Sequence, residues 1–311
     1  MAKIVIAIGG NALGNNIAEH QKLIKFTAKK ISKLIQQNHE IIIVHGNGPQ
    51  VGTINLAFET ANQKDSNIFK MSFDECSALS QGYIGYHLQQ SINNEIQKLN
   101  LNKTIATIIT QTIVDEKDPA FKNPTKPIGN FYAENTAKKL AKKNNWVVKS
   151  DANRGWRRVI ASPIPIDIVE KNIIKELVEK KHLIICGGGG GIPVISTSNK
   201  QIKGVEAVID KDLIAAKIAT ILKAEQLIIL TAVKAVAINF NNPKEEWLKT
   251  LTIKDAKKYI DDNQFASGSM LPKIIATINF IKDNPSSLAM IGHLEDLDEI
   301  IQQKKGTKII N

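Results

Sequence analysis

Cys186-Gly187-Gly188-Gly189-Gly190-Gly191-Ile192-Pro193 follows a short apolar run, His182 to Ile185, that has the character of a buried strand. Five consecutive glycines therefore stand where a sheet delivers the backbone to its edge. Each glycine loses more conformational freedom on folding than any other residue would, so the run is costly. What it offers is main-chain N–H groups that can turn toward an anion with no side chain in the way. A flexible linker would mix Gly with Ser and would not directly follow an apolar strand.

Two further junctions of the same kind precede it. Lys3 to Ile8 is a continuous apolar, largely β-branched run ended by Gly9-Gly10-Asn11, the pattern of a central parallel strand feeding a loop. Ile41 to Val44 is the second strand and runs into His45-Gly46-Asn47-Gly48-Pro49, where Pro49 suits the first position of a helix because its missing N–H would be unpaired there anyway. Between them, Leu23, Thr27, Ile31, Leu34 and Ile35 recur at helical spacing. Strands alternating with helices and ending in glycine turns predict an α/β fold with anion-binding donors along one sheet edge.

Further along, Ser72 to Glu75 predicts a capping box opening a helix to about Leu99, and Thr104 to Thr110 a third strand. The pattern breaks between about 115 and 165, where Pro119, Pro124, Pro127, Pro163 and Pro165 punctuate a stretch containing Arg154-Gly155-Trp156-Arg157-Arg158. That is too long for a βα loop, and Phe121, Phe131, Tyr132, Trp146 and Trp156 give it something to bury, so it is expected to be an inserted, mobile subdomain or lid. Ile168 to Lys180 reads as a helix, and Asp210-Lys211-Asp212 precedes another at Leu213 to Leu222, with its aspartates in or near the first turn. Leu227 to Thr231 is a strand, Thr252 to Asp255 a second capping box, and Gly268 to Lys273 the start of another helix. Ser287 to Met290 and Thr307 to Ile310 complete the strands.

Composition narrows the function. The 311 residues, 43% apolar and 23% charged, suit a globular protein of one large α/β domain or two smaller ones. The net charge of +11 comes from lysines dispersed along the chain, and 5% aromatic content gives few stacking platforms, so nucleic acid is not expected. Cys76 and Cys186 form neither a disulfide framework nor a metal-ligand spacing, which fits a reducing compartment. No run approaches the roughly 20 apolar residues that span a bilayer. Ile4 to Ile8 is too short for an export signal, so a cytoplasmic protein is expected.

The common nucleotide signatures are absent: there is no P-loop, no G-x-G-x-x-G after the first strand, no protein-kinase set and no nucleophile elbow. Histidines 20, 39, 45, 87, 182 and 293 lack ligand spacing, so no protein-held metal is expected. What remains is glycine loops with lysines at three loop positions: Lys126 in Asn123 to Gly129, Lys211 in Asp-Lys-Asp, and Lys273 ahead of a helix. Anion-binding N–H groups with convergent cations suit phosphoryl transfer, whose loose transition state spreads charge over equatorial oxygens.

Taken together, these segments resemble the carbamate kinases of the amino-acid-kinase superfamily. The resemblance rests on Ile8 to Ala12, His45 to Gly52, Gln81 to Tyr86, Phe121 to Gly129, Arg154 to Val159, the glycine run, Gly204 to Asp212 and Gly268 to Lys273. It implies a three-layer α/β/α sandwich around a mainly parallel sheet, a single amino-acid-kinase-like domain over 1–311 with a lid insertion at about 115–165, and a homodimer. It implies reversible phosphoryl transfer between ATP and carbamate, with Mg2+ accompanying ATP or ADP, in a setting of arginine metabolism. The half 1–180 would bind carbamate or carbamoyl phosphate through Gly9, Gly10, Asn11, Gly46, Asn47 and Gly48. The half 181–311 would bind nucleotide through Gly188, Gly189, Gly190, Lys211, Thr231, Val233, Met270 and Lys273. Lys126, Lys211 and Lys273 would be catalytic, with Asp210 orienting the lysines.

Kinases resembling acetylglutamate kinase keep a lysine ahead of the first Gly-Gly, where this chain has Ala7, so a replacement cation is required and Lys126 is the candidate. Carbamate is already an anion and needs no general base. Two departures stand out: Thr231-Ala232-Val233-Lys234 replaces the family's Thr-Gly-Val-Asp, and Asn153 stands where Gly is common. A kinase of another small carboxylate or acylamino acid, and an inactive binding paralogue, are the competing readings.

Overall fold

The computed structural model describes residues 2–9, 17–151 and 155–311. Gly10 and Asn11 of the expected acceptor loop, and Asn153 and Arg154, lie outside the described residues.

The central sheet has eight strands in the order Thr250–Thr252, Thr307–Ile310, Leu288–His293, Gln226–Thr231, Lys3–Ile8, Glu40–His45, Leu183–Ile185, Ile105–Thr107. Its pairings are parallel except that between Leu288–His293 and Thr307–Ile310. Both faces are covered, which is why the strands read as unbroken apolar runs. Alternate residues go to opposite sides. Val5, Ala7, Ile42, Val44, Leu227 and Ile229 join one core with the helices Lys211–Ile221 and Met270–Asp283. Ile4, Ile6, Ile8, Ile41, Ile43 and Ile228 join another with Ile17–Gln36, Phe73–Lys98 and Leu297–Ile301. The result is an α/β/α sandwich around a mainly parallel sheet, as the family resemblance implies.

Local signals hold at several helix starts. Ser72 and Glu75 form the reciprocal capping box ahead of Phe73–Lys98. The Asp255 N–H donates to Thr252 Oγ1, capping Ile253–Asp261. Pro49 is one residue off its expected place, serving as N-cap to Gln50–Lys64.

The stretch from Thr104 to Thr110 is not one strand. Ile105–Thr107 ends at the sheet edge, and the chain then leaves for a second sheet because Thr110 is gripped by Gln81: its N–H donates to Oε1 at 2.9 Å and its carbonyl accepts from Nε2 at 3.0 Å. That second sheet has the order Ile202–Gly204, Ile192–Ser196, Gln111–Val114, Pro165–Ile168. It also shortens the helix read from Ile168, which runs Lys171–Glu179, because Ile168 is paired with Thr112. The proline-punctuated stretch contains a third sheet, Lys126–Tyr132, Trp156–Ile160 and Val147–Ser150, with the helix Glu134–Asn144. Where it meets the body, backbones touch: a Cβ on Gly52 would lie 2.6 Å from Gly129 Cα.

Candidate functional site

Strands Lys3–Ile8, Glu40–His45, Leu183–Ile185 and Gln226–Thr231 run parallel, so the loops after their carboxyl ends open on one edge of the sheet. Gly9, Gly46 to Gly48, the glycine run, and Thr231 to Lys234 are brought there together.

The glycine run is buried and forms a tight turn over Gly188–Gly190. Gly187, Gly189, Gly190 and Gly191 have φ of 62°, 66°, 95° and 80°, which L side chains rarely adopt. Contacts forbid side chains as well: a Cβ on Gly188 would strike the His45 ring, and one on Gly190 the Ile209 carbonyl. Part of the glycine requirement is therefore packing. The Gly187 N–H donates to Thr110 Oγ1 at 2.9 Å, and those of Gly190 and Gly191 donate to the carbonyls of Gly187 and Gly188 at 3.1 and 3.0 Å. The N–H groups of Gly188 and Gly189 have no hydrogen-bond partner among the described residues. Beside them, Asn47 Nδ2 is buried and equally without a partner, with Asn47 Cβ 3.0 Å from where a Cβ on Gly189 would stand. Asn47 thus packs on the turn that carries these two N–H groups, and donors without acceptors suit an anion.

His45 lies beneath this turn and belongs to the packing. Its Nδ1 is 2.7 Å from the Gly46 carbonyl, and burial pushes its pKa down to about 4, so it is neutral. Gly9 is required by contact, since a Cβ there would lie 2.9 Å from the Leu230 carbonyl oxygen.

The charged part stands on the other side of Gly190, because Ile209 leads directly into Asp210. Asp210 caps the helix Lys211–Ile221, its Oδ1 accepting from the Asp212 N–H at 2.9 Å, and its Oδ2 pairs with Lys126 Nζ from the insert. Asp212, at the second helical position, accepts from Lys211 Nζ at 2.5 Å and from Lys273 Nζ at 2.8 Å. Three lysines and two aspartates thus form one partly buried network. Burial opposes ionisation of both carboxyls, but Lys126 and Lys211 hold Asp210 far below the usual range, and Lys211 and Lys273 hold Asp212 down. Burial pushes Lys211 down to about 8, while Asp212 outweighs burial at Lys273 and raises it.

The structure therefore gathers Lys126, Lys211, Lys273 and Asp210. Asp210 pairs directly with Lys126 and adds its charge at Lys211 and Lys273, while Asp212 makes the direct bonds to Lys211 and Lys273. Met270 opens the helix that carries Lys273, and Thr231 ends its strand at the same sheet edge. Lys234 places Nζ 4.6 Å from the centre of the Trp247 ring. Among the described residues no group of three or more His, Cys, Asp and Glu could hold a metal.

A parallel sheet with glycine turns and a lysine–aspartate network at one edge suits a phosphotransferase, and the family comparison agrees. The Amino acid kinase family model matches residues 2–289, and the chain belongs to that family. Within it, the similarity runs to carbamate kinases over the full length. The chain is 49% identical over 312 residues to the carbamate kinase of Pyrococcus horikoshii, covering 99% of this chain and 98% of that one. It is 48% identical over 307 residues to the carbamate kinase-like protein YqeA of Escherichia coli, covering 99% and 98%. Carbamate kinase from Giardia lamblia bound to AMP-PNP superposes with a TM-score of 0.89 at 39% identity, covering 99% of this chain and 98% of that one.

Proposed function

We propose that the protein is a carbamate kinase, catalysing carbamoyl phosphate + ADP ⇌ carbamate + ATP. The observation that carries this reading is the meeting of Lys126, from the insert, with Asp210 beside Lys211 and Lys273. In the ATP-forming direction, a terminal oxygen of ADP bonds to phosphorus as the carbamate oxygen leaves with its electron pair. Neither group needs a proton removed, and the network offers cations with no free carboxylate over a hydroxyl.

On this reading the half 1–180 binds the acceptor through Gly9, Gly46, Asn47 and Gly48, and the half 181–311 binds nucleotide through Gly188 to Gly190, Lys211, Thr231, Val233, Met270 and Lys273. The donors of Gly188, Gly189 and Asn47 face the transferred phosphoryl between them. Lys211 and Lys273 neutralise phosphate charge, and Lys126 closes over it. Ala7, buried in its strand, leaves the place of the missing lysine apolar, which supports the use of Lys126. Magnesium fits as a passenger of the nucleotide: it is commonly held by phosphates with one or two carboxylates, and here Asp210 and Asp212 are committed to lysines, so phosphate oxygens would hold it. When bound, the ion supplies charge neutralisation across the phosphates. A homodimer in the cytoplasm, acting in arginine metabolism without nucleic acid or membrane, completes the reading. No described helix is long and apolar enough to cross a membrane.

Coupled detection of ATP from ADP and carbamoyl phosphate tests it, alongside a panel with acetylglutamate and glutamate. Turnover confined to carbamoyl phosphate is expected. Turnover confined to another carboxylate would replace the reading, and none at all would favour a binding paralogue.

A further inference from the structure

Arg158 is not explained by the phosphoryl-transfer reading, yet it sits where three parts of the molecule meet. Its guanidinium carbon lies 4.8 Å from the centre of the Trp146 ring, in the insert, and 4.9 Å from that of Phe73, at the start of the helix Phe73–Lys98. Nη1 donates to Asn55 Oδ1 at 3.1 Å and stands 3.9 Å from Glu59 Oε2, both on the helix Gln50–Lys64. Glu59 also accepts from Trp146 Nε1 at 3.3 Å, so one carboxylate holds both members of the stack. Glu206, whose Oε2 accepts from the Phe73 N–H at 3.4 Å, adds a second acidic group from the chain that leads to Asp210.

A planar cation close to two rings, with a hydrogen bond and a nearby carboxylate, is a fixed joint, because guanidinium can stack on rings while it donates in its plane. The joint is wired to the lysine–aspartate network by main-chain pairing. Arg158 stands opposite Ile128, and Ile160 opposite Lys126, in one antiparallel ladder. Directly opposed residues share a face, so Arg158, Ile160, Ile128 and Lys126 project to the same side of the insert. That side closes a small core of Val51, Phe73, Cys76, Ile128, Ile160 and Val208. One residue beyond Ile160, the Ala161 carbonyl accepts from the Val208 N–H at 2.9 Å, two residues before Asp210. Both partners of the Lys126–Asp210 pair are therefore registered against the strand that Arg158 anchors.

From this geometry we propose that Arg158 is a positioning residue, docking the insert on the body so that Lys126 is held at Asp210. Among the described residues its hydrogen bond, ion pair and ring contacts go to Asn55, Glu59, Phe73 and Trp146, and none to Lys126, Asp210, Lys211, Asp212 or Lys273. The proposal rests on the reading of Lys126 as a site lysine, but the docking itself is tested without turnover.

Hydrogen exchange of Arg158→Met is expected to show lost protection at Lys126–Tyr132 and Val147–Ser150, with the strands Lys3–Ile8 and Gln226–Thr231 protected as in the parent. Unchanged protection of the insert would overturn the proposal. In the carbamoyl phosphate assay, Arg158→Met is expected to lower kcat by about 10- to 100-fold, the scale of a slight misplacement, with ADP affinity by calorimetry within about twofold. In a Lys126→Ala background the same substitution is expected to have almost no further effect on kcat. An equal fold-loss in both backgrounds, or a loss of ADP affinity matching that of kcat, would place Arg158 in another role. Should Arg158→Met not fold, Arg158→Lys, which keeps the charge and loses the flat stack, is expected to give the same pattern with smaller losses. Parent protein without turnover would remove the proposed function and leave the exchange measurement to decide the docking.

Discussion

Asp212 Oδ2 accepts a hydrogen bond from Lys273 Nζ at 2.8 Å, joining the first turn of one helix to that of another across a sequence separation of 61 residues. The carboxylate is almost wholly buried and also holds Lys211, so it compensates two cations at once. Asp212→Asn would leave those two cations buried and facing each other. Breaking a buried pair on one side costs about 3–5 kcal/mol, and a loss of that size is expected in urea unfolding. A change below about 1 kcal/mol would mean that the lysines escape to solvent when unpaired.

Lys126 and Lys273 contribute differently on the proposed mechanism. Lys126 is the more exposed, and its one ion pair among the described residues is with Asp210, so Lys126→Ala is expected to cost less stability than Asp212→Asn and to lower kcat at least about 100-fold. Turnover within a few-fold of the parent would remove Lys126 from the mechanism. Lys273→Ala is expected to weaken ADP binding and to lower kcat by a clearly larger factor, the mark of an interaction that strengthens in the transition state. An equal loss in ADP affinity would make Lys273 a nucleotide anchor instead.

The alkaline limb of kcat/KM for ADP is expected to report Lys211. Burial brings its pKa down to about 8, so the cation is complete below that value and is lost as pH rises through it. Asp210 and Asp212 are depressed by their lysine partners and stay ionised throughout, so they add no limb of their own in this range. Because kcat/KM reports the free enzyme, the fall should be visible between about pH 7 and 9.5. A flat profile over that interval would show that Lys211 keeps its proton or does not contribute.

His45 gives a stability test at acid pH. Burial lowers its folded pKa from 6.5 to about 4, so the unfolded chain binds the proton more tightly. Its contribution is complete above about 6.5 and is lost as pH falls toward 4, by an amount on the order of 3 kcal/mol. Tm should therefore drop over that interval, and less steeply in His45→Gln, whose side chain does not titrate. Parallel acid limbs in the two proteins would assign the drop to other groups.

Residues that act through the local backbone were legible in the chain. Ser72 with Glu75, and Thr252 with Asp255, lie three residues apart, within reach of one helical turn. The β-branched runs at Lys3 and Ile41 could only be strands covered on both faces. The second sheet was not legible, because Thr110 leaves the first one under the grip of Gln81, 29 residues earlier. Asn47 was legible as an acceptor-loop residue through the family resemblance, but that its Nδ2 lies against Gly189 without a partner was not.

The glycine run marks the division. Sequence alone determined that residues 187–191 would be a turn at a strand end, because four of its five positions need a backbone that only glycine adopts freely. It also determined the family, since the motifs are contiguous strings. Only the tertiary structure decided that His45, Asn47 and the Ile209 carbonyl crowd those glycines, that Lys126 takes Asp210 while Lys273 takes Asp212, and that Arg158 lies close to Trp146 and Phe73. The reason is physical: every cation in a chain of 41 Lys and Arg attracts every one of its 30 Asp and Glu, and only packing brings a given pair into low dielectric, where the attraction is strong enough to matter.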